Sequence, residues 1–410
     1  MAKPTLLGFD AFSKTLDDQK IKTSAGGIIS IICFFSTFLL LWFEWGDYNT
    51  IVLRPELVVD RASNELLKIN IDISFFEMPC DLFTLDVMDL TGDVQLDLLS
   101  SGFVKYRLDG NGNQIEHSET ELGANILPSI LGAKDDGYCG SCYGSINQDG
   151  NDGKPNNEKI CCNDCSAVRY AYTQSAWKFV DGAGIEQCER EGYVQRINER
   201  LHEGCRVKGV AQINRIGGNI HFAPGASVTH RDRHIHDLSL FEKHADLFSM
   251  KHKINHFSFG DDTHELQHIF ENDSHNHHTS HPLDDTEKNP STKWLTYSYF
   301  SKVVNTRFEY LDGTKIETNE FSVTQHDKPM RGGRDENNPN VIHGNGGLPG
   351  IFFHFDVSPL KIINREAYKK SFGGFILSFC SAVAGLLSVG AILDRLAYSA
   401  KRFLKDKKKI

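Results

Sequence analysis

Two long stretches without a charged side chain limit what this chain can fold into. Thr23 to Phe43 and Ser371 to Leu393 run for 21 and 23 residues with no Asp, Glu, Lys or Arg. As helices they extend roughly 31 to 35 Å, against a hydrocarbon core of about 30 Å. A helix buried inside a soluble protein is rarely uncharged for six turns, so both are read as membrane spans, bounded at 25–45 and 371–393. Trp42, Trp45 and Tyr48 close the first span as interfacial aromatics would. The polar segment before that span has no signal-peptide pattern, and the apolar run reaches past signal-peptide length without a convincing cleavage site, which makes it a retained anchor.

Orientation follows from the flanking cations. Lys3, Lys14, Lys20 and Lys22 precede the first span and Arg54 alone follows closely; Arg395, Lys401, Arg402, Lys405 and Lys407 to Lys409 follow the second. Segments 1–24 and 394–410 are therefore expected in the cytosol and 46–370 in the lumen of the secretory pathway. Removing the basic flanks leaves that middle stretch more acidic than the chain's formal charge of −10, which excludes a nucleic-acid binder.

The intervening domain reads as mainly β. Leu67, Ile69, Ile71, Ile73 and Phe75 alternate with polar residues, a period of two that marks a strand with one buried face. Similar patterns at 83–87, 210–213, 254–259, 303–310, 315–323 and 351–357, with an Asp312-Gly313 turn, predict a β-sandwich-like domain. A small disulfide-rich helical insertion at 132–205 interrupts it.

Eight cysteines lie between the spans: Cys80, Cys139, Cys142, Cys161, Cys162, Cys165, Cys188 and Cys205. An even set on the side that carries the acceptor sequon at Asn272 suggests structural bridges. Two CxxC pairs, Cys139/Cys142 and Cys162/Cys165, also leave open a redox-active or cargo-engaging pair, or by spacing a zinc ribbon. Tyr193, Ile197 and Leu201 recur every four residues, so a helix is expected between Cys188 and Cys205. If continuous, it holds those two cysteines roughly 25 Å apart and forbids a bond between them; both are then expected to tie the helix to the CxxC region.

The chain closes on Lys407, Lys408, Lys409 and Ile410. Lysines at the third and fourth positions from the carboxylate, on an unstructured tail beside the bilayer, resemble the dilysine signal read by the COPI coat. The same lysines could instead touch anionic lipid. Phe403, Leu404 and Ile410 are candidates for a hydrophobic COPII export signal.

Leu7 to Gly27 (LGFDAFSKTLDDQKIKTSAGG), Pro79 to Gly92 (PCDLFTLDVMDLTG), the two cysteine blocks, Gly204 to Pro224 (GCRVKGVAQINRIGGNIHFAP), Phe321 to His326 and Gly350 to Leu360 occur in a fixed order. Together they resemble the ER–Golgi intermediate compartment cargo receptors, in the larger cysteine-rich branch with a dilysine tail. The resemblance implies a receptor in the endoplasmic reticulum membrane, intermediate compartment and cis-Golgi. Such a receptor pairs with a smaller homologous member, enters COPII vesicles, returns by COPI, and retrieves luminal clients that lack a retention tetrapeptide. It implies no enzyme activity, and no cofactor or metal is expected. Two other functions fit the residues: a luminal thiol-disulfide oxidoreductase, and a membrane scaffold or tether using Ser381 and Gly385 as a small-residue helix face. Twelve of the eighteen histidines fall between His230 and His281. Among them His264, His268, His275, His277 and His278 are candidate sensors of the pH difference between compartments.

Overall fold

The computed structural model describes residues 24–61, 66–90, 102–115, 120–122, 137–230, 233–260, 281–290, 294–334, 340–344 and 346–407. In chain order its elements are α1 (Ser24–Asn49), β1 (Ile51–Val59), β2 (Leu66–Phe75), β3 (Phe83–Asp89), β4 (Phe103–Leu108), β5 (Thr120–Leu122), α2 (Cys165–Gln174), α3 (Glu186–Arg190), α4 (Tyr193–Glu199), β6 (Gly204–Asn214), β7 (Gly218–Pro224), β8 (Ser227–His230), β9 (Arg233–His236), α5 (Ser239–Lys243), β10 (His252–Phe259), β11 (Thr286–Lys288), β12 (Leu295–Glu309), β13 (Lys315–Pro329), β14 (Gly333–Arg334), β15 (Ile342–His343), β16 (Gly350–Tyr368) and α6 (Phe372–Lys407). They form two compact units: a helical one of Met1–Pro55, Glu309–Thr314 and Asn364–Ile410, and a β-rich one of Glu56–Phe308 and Lys315–Ile363.

In the helical unit, both apolar runs are helices long and apolar enough to cross a membrane, Gly26–Asn49 and Phe372–Lys401. They present Phe34, Trp42, Leu377 and Leu387 outward, as hydrocarbon-facing helices must. The two helices are antiparallel. Trp45 and Tyr48 near the end of α1 meet Phe375 near the start of α6, with ring centroids 5.9 and 4.9 Å apart. Deeper in the pair, a Cβ added at Gly390 would lie 2.7 Å from Cys33 Sγ, so glycine permits the closest approach. Ser381 and Gly385 lie on the exposed side of α6, and an added Cβ at Gly385 meets nothing within 4 Å. The tail expected to be unstructured is helical through Lys407, because the residues after Gly390 contain no helix breaker.

In the β-rich unit the strands form one continuous sheet in the order β3-β7-β16-β12-β13-β10-β2-β6-β4-β5, with β1 added on β16 and β11 on β10. The sheet closes on itself like a sandwich. Phe75 on β2 and Phe222 on β7 lie five strand steps apart along that order, roughly 24 Å if the sheet were flat. Their ring centroids are 5.4 Å apart. Phe257 on β10 likewise stacks on Phe353 of β16 at 4.7 Å. Twist and curl therefore bring the inner face together around Ile69, Ile71, Ile73, Val207, Phe222, Phe257 and Phe353.

Strand β2 departs from the expected single buried face, since Asn70, Asp72 and Ser74 are buried too. Its second face is a satisfied polar ladder. Arg206 on β6 donates to both carboxylate oxygens of Asp72 at 2.7 and 2.6 Å, Asn255 on β10 donates to it at 3.0 Å, and Asn70 donates to Ser258 Oγ at 2.9 Å. Burial pushes the Asp72 carboxyl up, but the Arg206 and Asn255 hydrogen bonds more than offset this and hold it below the usual carboxylate range.

Candidate functional site

The cysteine-rich insertion is cross-linked between its motifs and not within them. Cys139 bonds Cys161, Cys142 bonds Cys162, Cys165 bonds Cys188, and Cys80 bonds Cys205 across 125 residues. Neither CxxC closes on itself, whereas a dithiol redox pair must. The same bonds consume every thiolate that a zinc ribbon would need. Gly140 makes the crossing possible: a Cβ there would fall 2.1 Å from the Cys162 carbonyl oxygen, where the two motifs pair backbone to backbone, Cys162 N donating to Gly140 O at 3.0 Å.

Cys188 and Cys205 do not bond each other, but the continuous helix expected between them is broken. Gly192 takes φ +63° and separates α3 from α4. Cys188 does tie this segment to the second CxxC block, while Cys205 is tied to Cys80 and so to the sheet. Alkylation of the unfolded, unreduced chain is expected to modify the two free cysteines, Cys33 and Cys380; a labelled peptide carrying any of the other eight refutes this pairing.

Backbone strain gathers in the insertion. Of the four non-glycine residues with positive φ among the described residues, Tyr143, Ala176 and Val180 lie here. Beside them a cleft of about 250 Å³ opens between Trp177 and Lys178 of the insertion and Ile235, Asp237 and Glu242 beyond it. Trp177 is half exposed at its edge. Asp237 joins the two walls, accepting from Phe179 N at 2.7 Å.

Behind this cleft four side chains meet that the sequence reading did not single out: Asp86, His221, His234 and His236. Asp86 on β3 and His221 on β7 are register partners, which puts them side by side on one face. His234 and His236, two apart on β9, share a face of the β8–β9 ribbon. Ser227 on that ribbon donates to Asp86 Oδ1 at 2.8 Å, while Asp86 Oδ2 is buried without a hydrogen bond. Burial pushes His221 down to about 3 and lowers His236 as well, so both rings are neutral near pH 7. The signal available in the sequence was the His-x-His spacing inside a short alternating strand.

Of the other candidates, Phe403 and Leu404 are exposed on α6, and Lys407 is its last residue. Lys408, Ile410, Asn272, His264, His268, His275, His277 and His278 lie outside the described residues.

Residues 142–394 match the family described as endoplasmic reticulum vesicle transporter, and residues 6–96 match the N-terminal family of the Endoplasmic Reticulum-Golgi Intermediate Compartment (ERGIC). The chain is similar to the ER-derived vesicles protein ERV46 of Saccharomyces cerevisiae, with 46% identity covering 100% of both chains. It is 36% identical to the probable endoplasmic reticulum-Golgi intermediate compartment protein 3 of Dictyostelium discoideum, over 97% of this chain and 96% of that one. Against the crystal structure of Erv41p it gives a TM-score of 0.38 at 21% identity, covering 76% of this chain and 99% of that one. The chain belongs to the endoplasmic reticulum vesicle transporter (ERGIC) family, membrane proteins of vesicle transport between endoplasmic reticulum and Golgi.

Proposed function

We propose that this protein is a cargo receptor that cycles between endoplasmic reticulum and Golgi. Its β-rich domain lies in the lumen and its two ends lie in the cytosol. The observation that carries this reading is the antiparallel helix pair, which brings both outer ends to one side of the bilayer, combined with four disulfides in the domain between the helices. Disulfides persist in oxidising compartments, so the domain is luminal and the basic ends meet the cytosol. The lysines from Lys407 onward then supply the COPI-directed return signal, and Phe403 and Leu404, exposed on the same helix, a COPII contact.

On this reading the clients are luminal proteins without a C-terminal retention tetrapeptide, and a smaller homologous member completes a hetero-oligomer. The cleft edged by Trp177 and Ile235 is the surface offered to clients, since it joins half-exposed apolar side chains to a disulfide-braced wall. Replacing Lys407 and Lys408 by Ser is expected to lower the fraction of receptor in the endoplasmic reticulum several-fold and to release clients into the medium. Quantitative microscopy and secretion assays report both. An unchanged distribution refutes the retrieval role.

A further inference from the structure

We propose that Asp86, His221, His234 and His236 form a structural zinc site that clamps the β8–β9 ribbon onto the main sheet. The geometry carries this. A tetrahedral zinc ion with bonds of about 2.0 to 2.1 Å to nitrogen and oxygen sets its donor atoms about 3.3 Å apart along each edge. Here His234 Nε2 lies 3.0 Å and His221 Nε2 3.4 Å from His236 Nε2. Asp86 Oδ2 lies 3.7 Å from His221 Nε2, 3.5 Å from His234 Nε2 and 3.4 Å from His236 Nε2. All four atoms fall within 4.8 Å of one another. Five of the six edges are thus close to tetrahedral values.

The surroundings assign these atoms as electron-pair donors. Asn219 Oδ1 accepts from His221 Nδ1 at 3.0 Å, which places the ring proton on Nδ1 and leaves Nε2 bare. Thr84 spends its hydroxyl proton on the Gly225 carbonyl at 2.9 Å and accepts from His236 Nδ1 at 3.3 Å, with the same result for His236. Two bare nitrogens therefore point at each other and at a carboxylate oxygen. A proton on His234 Nε2 satisfies one of these contacts; the remaining lone pairs still converge, and a cation at their centre answers all of them. Ser227 holds the other carboxylate oxygen and so fixes the ring of donors from behind.

Three imidazoles and one carboxylate suit zinc, whereas calcium and magnesium prefer oxygen. The site is also closed. Side-chain exposure is 1% for His236, 2% for His221, 4% for Asp86 and 11% for His234, leaving no open coordination position for a substrate. Its role is to hold: β8 and β9 form a two-stranded sheet of their own, outside the main ladder, and the ion joins them to β3 and β7. Because Asp237 follows directly and accepts from Phe179 N, the clamp also sets the wall against which the cysteine-rich insertion rests.

The test uses the full-length chain, extracted from membranes in detergent without chelators and without a metal-affinity step. Elemental mass spectrometry is expected to find about one zinc per chain, and Asp86→Asn and His236→Gln are each expected to retain at least about tenfold less. Because either variant could misfold, a second measurement uses wild type alone: the protein is stripped with a chelator and reloaded with cobalt. The expected spectrum shows intense tetrahedral d–d bands without a thiolate charge-transfer band, and added zinc raises the melting temperature of stripped protein. Zinc at one equivalent in both variants, another metal in its place, or a stripped protein that neither binds cobalt nor gains stability from zinc overturns the assignment.

Discussion

Replacing Cys80 and Cys205 together by Ala is expected to cost about 3 to 5 kcal/mol of stability, more than removing any other disulfide of this protein. The bond spans 125 residues, and the entropy it removes from the unfolded chain grows with the logarithm of that length. The Cys142–Cys162 bond closes 20 residues, and its paired replacement is expected to cost about 3 kcal/mol. Cys205 pairs with Phe75 in the β2–β6 ladder and Cys80 also lies in the main core, so the longer crosslink braces the sheet itself. Denaturant titration of the full-length protein in detergent compares the two double replacements. Equal losses, or a larger loss for Cys142/Cys162, contradict this order.

Acidification is expected to weaken the β-rich domain through His252. This imidazole is fully buried; its Nδ1 donates to Met250 O at 2.8 Å and its Nε2 accepts from Tyr299 Oη at 2.9 Å. Burial pushes its pKa down to about 4, with Lys288 adding slightly in the same direction, against about 6.5 in the unfolded chain. Between those values the unfolded state binds the proton and the folded state does not, so stability falls as pH falls from about 6.5 toward 4. The loss from this group reaches about 3 kcal/mol at pH 4. His252→Gln keeps a side chain that both donates and accepts but cannot titrate in this range. Wild-type and variant stabilities, measured from pH 7.5 to pH 4, should therefore converge as the pH drops. Curves that stay parallel exclude His252 as the cause.

What could be read in the sequence was what local pattern determines. The uncharged runs announced both long helices, and the alternating stretches announced the strands, because each records which neighbours a residue has within two or four positions. Non-local pairing was not legible in this way. The polar face of β2 looked solvated because its partners Arg206 and Asn255 lie more than a hundred residues away. Asp86 and His221 become neighbours through strand register, which no single segment encodes. The helix between Cys188 and Cys205 was overextended because Tyr193, Ile197 and Leu201 keep a helical period, while the break at Gly192 precedes all three. The histidine enrichment pointed to the right stretch of chain, but the histidines that the fold brings together are at its start, on β9, and on β7 before it.

The β8–β9 ribbon has a consequence for how the domain comes apart. Two strands alone are marginal in water, and this pair shares no ladder with the twelve-stranded sheet. Side chains such as Ser227 and His236 are what fasten it down. Once stripped of the ion proposed above, such a flap can lift while the sheet beneath stays intact, so in metal-free protein its amides should exchange with solvent through a smaller, separate opening than those of β2 or β6.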